Sequence, residues 1–171
     1  MPTFIFDDNF SQNEKRILAK CCKTHVTELG IHDRDCTVTI KKTKLPSDID
    51  AQMGSFEPGY FAFEINSKGY HLSKAISSLG HELVHLRQFL LGHMKGDDQG
   101  GCFWKGQHIP NYICQCGLFY RDLPWEQEAW ELQPKLHAKA IKNLPYRDKF
   151  TVAANAADHN QDNPFVGLRK I

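Results

Sequence analysis

The chain has 171 residues, enough for one domain with a buried core. Lys and Arg number 21 against 20 Asp and Glu, so no basic balance argues for a nucleic-acid partner and no acidic run for a solvating tail. The opening MPTFIFDDNF lacks the basic and apolar segments of a signal peptide, and no apolar run is long enough to span a bilayer. A cytoplasmic protein with no membrane partner is therefore expected, its six cysteines reduced.

In chain order, residues 10–29 read as a helix. Ser11 can cap it, Glu14 sits at the reciprocal capping-box position, and Gly30 stops it. Ile17, Leu18, Cys21, Val26 and Leu29 keep helical spacing, which makes Cys21 and Cys22 small core hydrophobes. CTVTIKK, residues 36–42, alternates in a β-rich composition and reads as a strand. Residues 43–58 carry Pro46, Gly54 and Pro58 among polar residues and read as mostly loop. GYFAFEIN, residues 59–66, reads as a second strand, with Phe61, Phe63 and Ile65 facing the core and Tyr60, Ala62 and Glu64 opposite.

After a turn at Asn66–Gly69, a helix is expected from about Ser73, as its N-cap, to Leu91, with Gly92 as the residue that ends it. Inside it stands His81-Glu82-Leu83-Val84-His85. Histidines four apart on a helix lie one above the other and can grip one metal ion. Ile76, Leu79, Leu83, Leu86 and Leu90 form an apolar stripe roughly 140–220° round the helix from His81. The histidines, with Ser78 and Gln88 beside them, thus face away from the core stripe, as on a helix that lines a cleft. Glu82 lies about 100° from His81, where it can take a proton from a water at the metal without ligating the metal. That is the arrangement of a zinc hydrolase.

Residues 93–123 are broken by Gly96, Gly100, Gly101, Gly106 and Pro110, and FWKGQHI can form a short hairpin. Connections this long are more often functional than idle. This one holds Cys102, His108, Cys114 and Cys116. Their spacing is not that of a standard zinc finger, and C-x-C is tighter than usual, so a second, structural zinc is not expected. Leu123-Pro124 opens the last helix, with Asp122 able to cap it. Trp125, Ala129, Leu132, Leu136 and Ile141 keep helical spacing, and Pro134 should kink or interrupt it. Past Pro145 the periodicity fades, so residues 146–171 read as an irregular tail beyond a domain of residues 1–145.

A catalytic zinc takes three protein ligands and leaves one position open. The third histidine of the metzincins would need Gly at 88 and His at 91; Gln88 and Leu91 exclude that class. Glu126-Gln127-Glu128-Ala129, on the following helix, is the best source of the third ligand. Glu126 and Glu128 project about 200° apart, so only one of them ligates easily. Glu131, His93, His108 and His137 stand behind them. Tyr120, shortly before Glu126, is the first choice of donor to an oxyanion at the metal, ahead of Tyr112 and His108.

H-E-x-x-H on a helix after two strands, then E-x-x-A on a later helix, resembles the gluzincin-type metallopeptidases and the small zincins of the ImmA/IrrE-like and SprT-like kind. HELVHLRQ followed by LPWEQEA is most similar to small phage and bacterial zincin-like proteins, over about residues 60–140. The resemblance implies Glu126, the first Glu of E-x-x-A, as metal ligand, and a phage-encoded protein in a bacterial host. Many of these families carry Asp or Asn four residues after that Glu to support a ligand histidine; here Trp130 stands there.

The resulting expectation is an α+β zincin-like domain: an N-terminal helix, a short, mostly antiparallel sheet, the H-E-x-x-H helix and a following helix with the third ligand. Zn²⁺ would sit on His81, His85 and Glu126, with Glu82 as general base and Tyr120 as oxyanion donor. A peptide or protein substrate would lie extended along strand 59–66 as the sheet edge. Two other readings stand beside it. One is a zincin fold that binds without turnover. The other is an SprT-like protease acting on DNA-bound proteins, which would call for a basic element that the chain does not display.

Overall fold

The structure is a computed structural model that describes residues 1–57, 59–97, 99–114 and 117–160. Strand β1 (Thr3–Phe6) leads into α1 (Gln12–Glu28), which returns the chain to β2 (Thr37–Thr43). The capping box at Ser11 and Glu14 forms as expected, each side chain bonding the other's backbone N–H. Strands β3 (Ala51–Glu57) and β4 (Tyr60–Asn66) form an antiparallel pair, and the sheet order is β1-β2-β4-β3.

Two features of this sheet differ from expectation. First, β1 pairs with β2 and β2 with β4 in parallel, so the main sheet is not mostly antiparallel. Alternating hydrophobicity marks a strand but not its direction; α1 is the long crossover that a parallel pair needs. Second, residues 43–58 are not mostly loop. Ala51 to Ser55 pair with Ile65 to Phe61, which moves β4 to the interior and leaves β1 and β3 as the edges. Strand 59–66 is therefore no edge for a substrate to join; β3 is. The row Phe61, Phe63 and Ile65 does face the core.

Helix α2 (Leu72–Leu90) packs against β3 and β4. Ile76, Leu79, Leu83 and Leu86 are fully buried and Leu90 partly so, which realises the expected stripe. The N-cap is His71 rather than Ser73: His71 Nδ1 accepts from the Lys74 N–H at 3.2 Å, and the Ser73 hydroxyl instead meets His137 Nε2 at 3.2 Å. At the other end Gly92 takes φ 69°, and the N–H groups of Gly92 and His93 bond the carbonyls of Phe89 and Gln88. A left-handed residue with these two bonds satisfies the last carbonyls of a helix.

A small antiparallel sheet follows, made of β5 (Met94–Gly96), β6 (Cys102–Trp104) and β7 (Gln107–Ile109). The β6–β7 hairpin is the one expected from FWKGQHI. Its two-residue turn has φ 48° at Lys105 and 86° at Gly106, the sign pattern that matches strand twist. Helix α3 (Asn111–Cys114) and a 3-10 turn (Gly117–Asp122) lead to α4 (Pro124–Asn143). Asp122 does not cap α4; Leu123 is the N-cap and makes no side-chain bond. Pro134 deprives the Trp130 carbonyl of its helical donor, yet α4 runs on to Asn143. Buried Trp125 and Ala129 hold it before the proline, and Leu136 and Ala140 after it.

The expected irregular tail begins as helix α5 (Tyr146–Asn160); residues 161–171 lie outside the described part. Tertiary contacts override a weak local pattern here. Buried Asp148 accepts from both Arg16 nitrogens at 2.7 Å and from Lys20 at 2.9 Å, tying α5 to α1. Val152 enters the core, and the Asn155 side chain accepts from the Leu72 N–H at 2.6 Å. The architecture is α+β, with the main core between the sheet and α1, α2, α4 and α5. A second cluster of Trp104, Leu123 and Trp125 seats the hairpin against the start of α4. Among the described residues, no helix is long and apolar enough to cross a membrane.

Candidate metal centre

One helical turn brings His81 and His85 together, with their Nε2 atoms 3.1 Å apart. Helix α4 lies along α2 and delivers Glu126 from its first turn. One carboxylate oxygen of Glu126 stands 3.2 Å from His85 Nε2 and the other 3.3 Å from His81 Nε2. Glu126 is 1% exposed. Three electron-pair donors of a buried site thus converge from two helices, and among the described residues this is the one His/Cys/Asp/Glu group arranged so.

The spacing fits a metal ion. Ligands about 2.0–2.1 Å from a tetrahedral centre stand about 3.3–3.4 Å from each other, close to the separations seen here. Protein hydrogen bonds do not saturate the cluster. Glu126 Oε2 is near His81 but not in hydrogen-bonding geometry, and His81 Nδ1 is buried without a partner. Burial works against a charged Glu126, but the facing His81 and His85 rings, with the Tyr120 hydroxyl, hold its carboxyl down at about 2.

His85 is oriented by a side chain that spacing alone did not single out. Its Nδ1–H donates to Gln88 Oε1 at 2.9 Å, which turns the Nε2 lone pair towards the centre. Gln88 is fully buried, and its amide nitrogen donates to the Trp125 carbonyl at 3.0 Å and to Glu128 at 2.8 Å. One glutamine thus aligns a candidate ligand and fastens α2 to the turn of α4 that carries another. The available signal was Gln88 on the histidine face, three residues after His85.

The same contacts sort the other candidates. Glu128 is engaged by Gln88 and by Arg87 at 3.4 Å, and Glu131 by Lys135 at 2.9 Å. His93 packs on Trp104, His108 pairs with Asp97 at 2.7 Å, and His137 meets Ser73. Only Glu126 joins the histidines.

Glu82 is 5% exposed. Burial pushes its carboxyl up, with His85 and His81 pulling the other way and Glu126 adding to the rise. It follows His81 directly on α2, which sets it beside the cluster. Tyr120, in the 3-10 turn, is 48% exposed; burial of its hydroxyl and the Glu126 and Glu82 carboxylates push its phenol up, so it stays a neutral donor. Tyr112 is 75% exposed, and His108 is turned to Asp97 at 2.7 Å. Of the four loop donors, Cys102 and Cys114 meet at 3.6 Å, His108 turns to Asp97, and Cys116 lies outside the described residues.

Trp130 lies one helical turn after Glu126 on α4. Its ring stands edge-on to His81 with centroids 4.8 Å apart, and the Arg121 guanidinium lies over it at 4.8 Å. Comparison of the chain with known protein families, curated proteins and solved structures finds no match.

Proposed function

We propose that this chain is a zinc-dependent peptide hydrolase of the zincin type, resembling the small phage and bacterial members. The observation that carries the reading is the convergence of His81, His85 and Glu126 at 3.1–3.3 Å, with buried Glu82 beside them. Zinc bound there would supply Lewis acidity, making water acidic near neutrality and polarising a carbonyl. Glu82 takes the proton of the attacking water at its carboxylate and passes it to the leaving amine. Its position, one step round the helix from His81, keeps it close to the centre without competing as a ligand. The Tyr120 hydroxyl donates to the carbonyl oxygen as negative charge develops on it. Edge strand β3, which packs on α2, offers unpaired backbone groups to which an extended peptide can add.

Glu82→Gln tests the reading. The variant should bind zinc as the wild type does and lose cleavage of a peptide library by a factor of at least about 100. Cleavage retained in the variant, or a wild type that binds no zinc, refutes it. A second reading, a fold that keeps the metal without turnover, draws support from Trp130 against His81 and from the unpartnered His81 Nδ1. Zinc binding by a wild type that cleaves no member of the library would favour it.

A further inference from the structure

Arg121 ends a chain of contacts that starts at the metal centre. Its guanidinium stands over the Trp130 ring, and that ring packs on His81. Both Trp130 and Arg121 are exposed at the rim. A ring face attracts the guanidinium charge without taking up its N–H donors as a carboxylate would. Among the described residues, no hydrogen bond or ion pair engages the Arg121 donors. Arg87, the other nearby arginine, is different: it is spent on Glu128. Glu82 and Glu126 make the interior of the site acidic, yet Arg121 is held on an aromatic ring instead of pairing with either. The rim therefore presents a pre-oriented cation with unused donors next to a ligand histidine.

We infer that Arg121, positioned by Trp130, binds a carboxylate of the peptide substrate close to the bond that is cut. The inference rests on the peptide-hydrolase reading above. The two contacts place the guanidinium within about 10 Å of the His81 ring centre, and an extended chain covers about 3.3–3.6 Å per residue. The carboxylate thus belongs to a side chain within about three residues of the scissile bond, or to the chain terminus at that distance. A planar fork suits a carboxylate better than a point charge would, because it can bond both oxygens at once.

The test uses the zinc-loaded full chain and peptides that differ by Glu against Gln at each position flanking the cut, each with a free or an amidated C-terminus. A charge-assisted bond should raise kcat/KM about tenfold for the acid at one position or for the free terminus, and this distinguishes the two sources. Arg121→Gln should bring that ratio near one, and Arg121→Glu should shift preference to Lys at the same position. Lys105→Gln, which removes the cation stacked on Trp104 in the hairpin, should leave the ratio unchanged. Calorimetric binding of the same peptides to zinc-loaded Glu82→Gln should show the same preference without turnover. Absence of any charge preference in the wild type overturns the inference. So does an Arg121→Gln variant that loses acidic and neutral substrates by one factor, or that loses zinc affinity: the arginine would then only brace Trp130 and His81. If the wild type cleaves no peptide, the hydrolase reading fails separately. The binding arm then decides, supporting the inference if a Glu-over-Gln preference disappears in Arg121→Gln and overturning it otherwise.

Discussion

Replacing Gln88 by leucine and, separately, by glutamate should split metal binding from fold stability. Gln88 is fully buried and makes three side-chain bonds: from His85 Nδ1–H at 2.9 Å, to the Trp125 carbonyl at 3.0 Å and to Glu128 at 2.8 Å. Leucine keeps much of the volume and removes all three. At about 1 kcal/mol for each neutral bond and about 2 for the one ending on a carboxylate, the metal-free fold should lose roughly 3–4 kcal/mol, less what leucine regains as buried apolar surface. His85 also loses the acceptor that fixes its Nδ1 proton, and loss of such a partner weakens zinc about 10–100-fold. Glutamate keeps an acceptor for His85 but cannot donate to the Trp125 carbonyl, and it sets a second charge against Glu128. It should destabilise the metal-free fold by a similar amount, roughly 3 kcal/mol, and weaken zinc less than leucine does, since His85 keeps its acceptor and only the hold on α4 is lost. Urea unfolding in a chelator reads the first quantity, and competition with a chromophoric chelator reads the second. Wild-type zinc affinity in Gln88→Leu would refute the orienting role. Equal weakening in both variants would show that the amide acts only by holding α4 in place.

Two further predictions concern the helices behind the site. A Cβ at Gly80 would meet Leu136 at 3.5 Å and the His25 ring at 3.6 Å, ordinary contact distances, so Gly80→Ala should stabilise by about 0.5–1 kcal/mol through its helix preference and raise Tm by about 1–4 °C. A lower Tm by calorimetry would show that α1, α2 and α4 have no room there. His25 is completely buried, with its Nε2 3.3 Å from the Ile76 carbonyl; burial drives its pKa down from 6.5 to about 4, the Ile76 bond opposing and His137 assisting. The unfolded chain therefore binds more protons between those values. The stability is complete above pH 6.5 and lost as pH falls towards 4, about 1.4 kcal/mol per unit and roughly 3 in all. In a chelator, the stability gap between wild type and His25→Gln should narrow by that amount from about pH 7 to about pH 4; a constant gap would show that His25 takes up its proton in the fold as readily as in the unfolded chain.

What the sequence discloses depends on how local each constraint is. Helix α2 is legible because 3.6-residue periodicity turns spacing directly into facing: the apolar stripe, the two histidines and the Gly92 stop all follow from one rule. The hairpin at Lys105-Gly106 is legible for the same reason, since its turn chemistry is contained in two residues. Strand β3 is not. It carries Gly54 and shows little β-branched alternation, and it exists because β4 offers a partner along its length. Helix α5 is held by Asp148 on Arg16 and Lys20, more than a hundred residues earlier in the chain, so no window of sequence around it contains its cause.

The candidate site divides along the same line. His81, Glu82 and His85 sit on one element, and their mutual geometry is a property of that element alone. The choice between Glu126 and Glu128 belongs to the docking of α4 on α2. Spacing shows that the two diverge but not which one turns inward. Gln88 answers that question physically: its amide binds Glu128 and the Trp125 carbonyl at once, and with α4 held at that rotation Glu126 is the carboxylate that meets the histidines. The third donor is therefore selected by a residue of the first helix, and a substitution at Gln88 should disturb Glu126 even though the two side chains make no hydrogen bond to each other. Trp130, one turn beyond Glu126, is set by the same rotation. Its ring thus reaches His81 as an aromatic wall, and Arg121 stands on that wall at the mouth of the site.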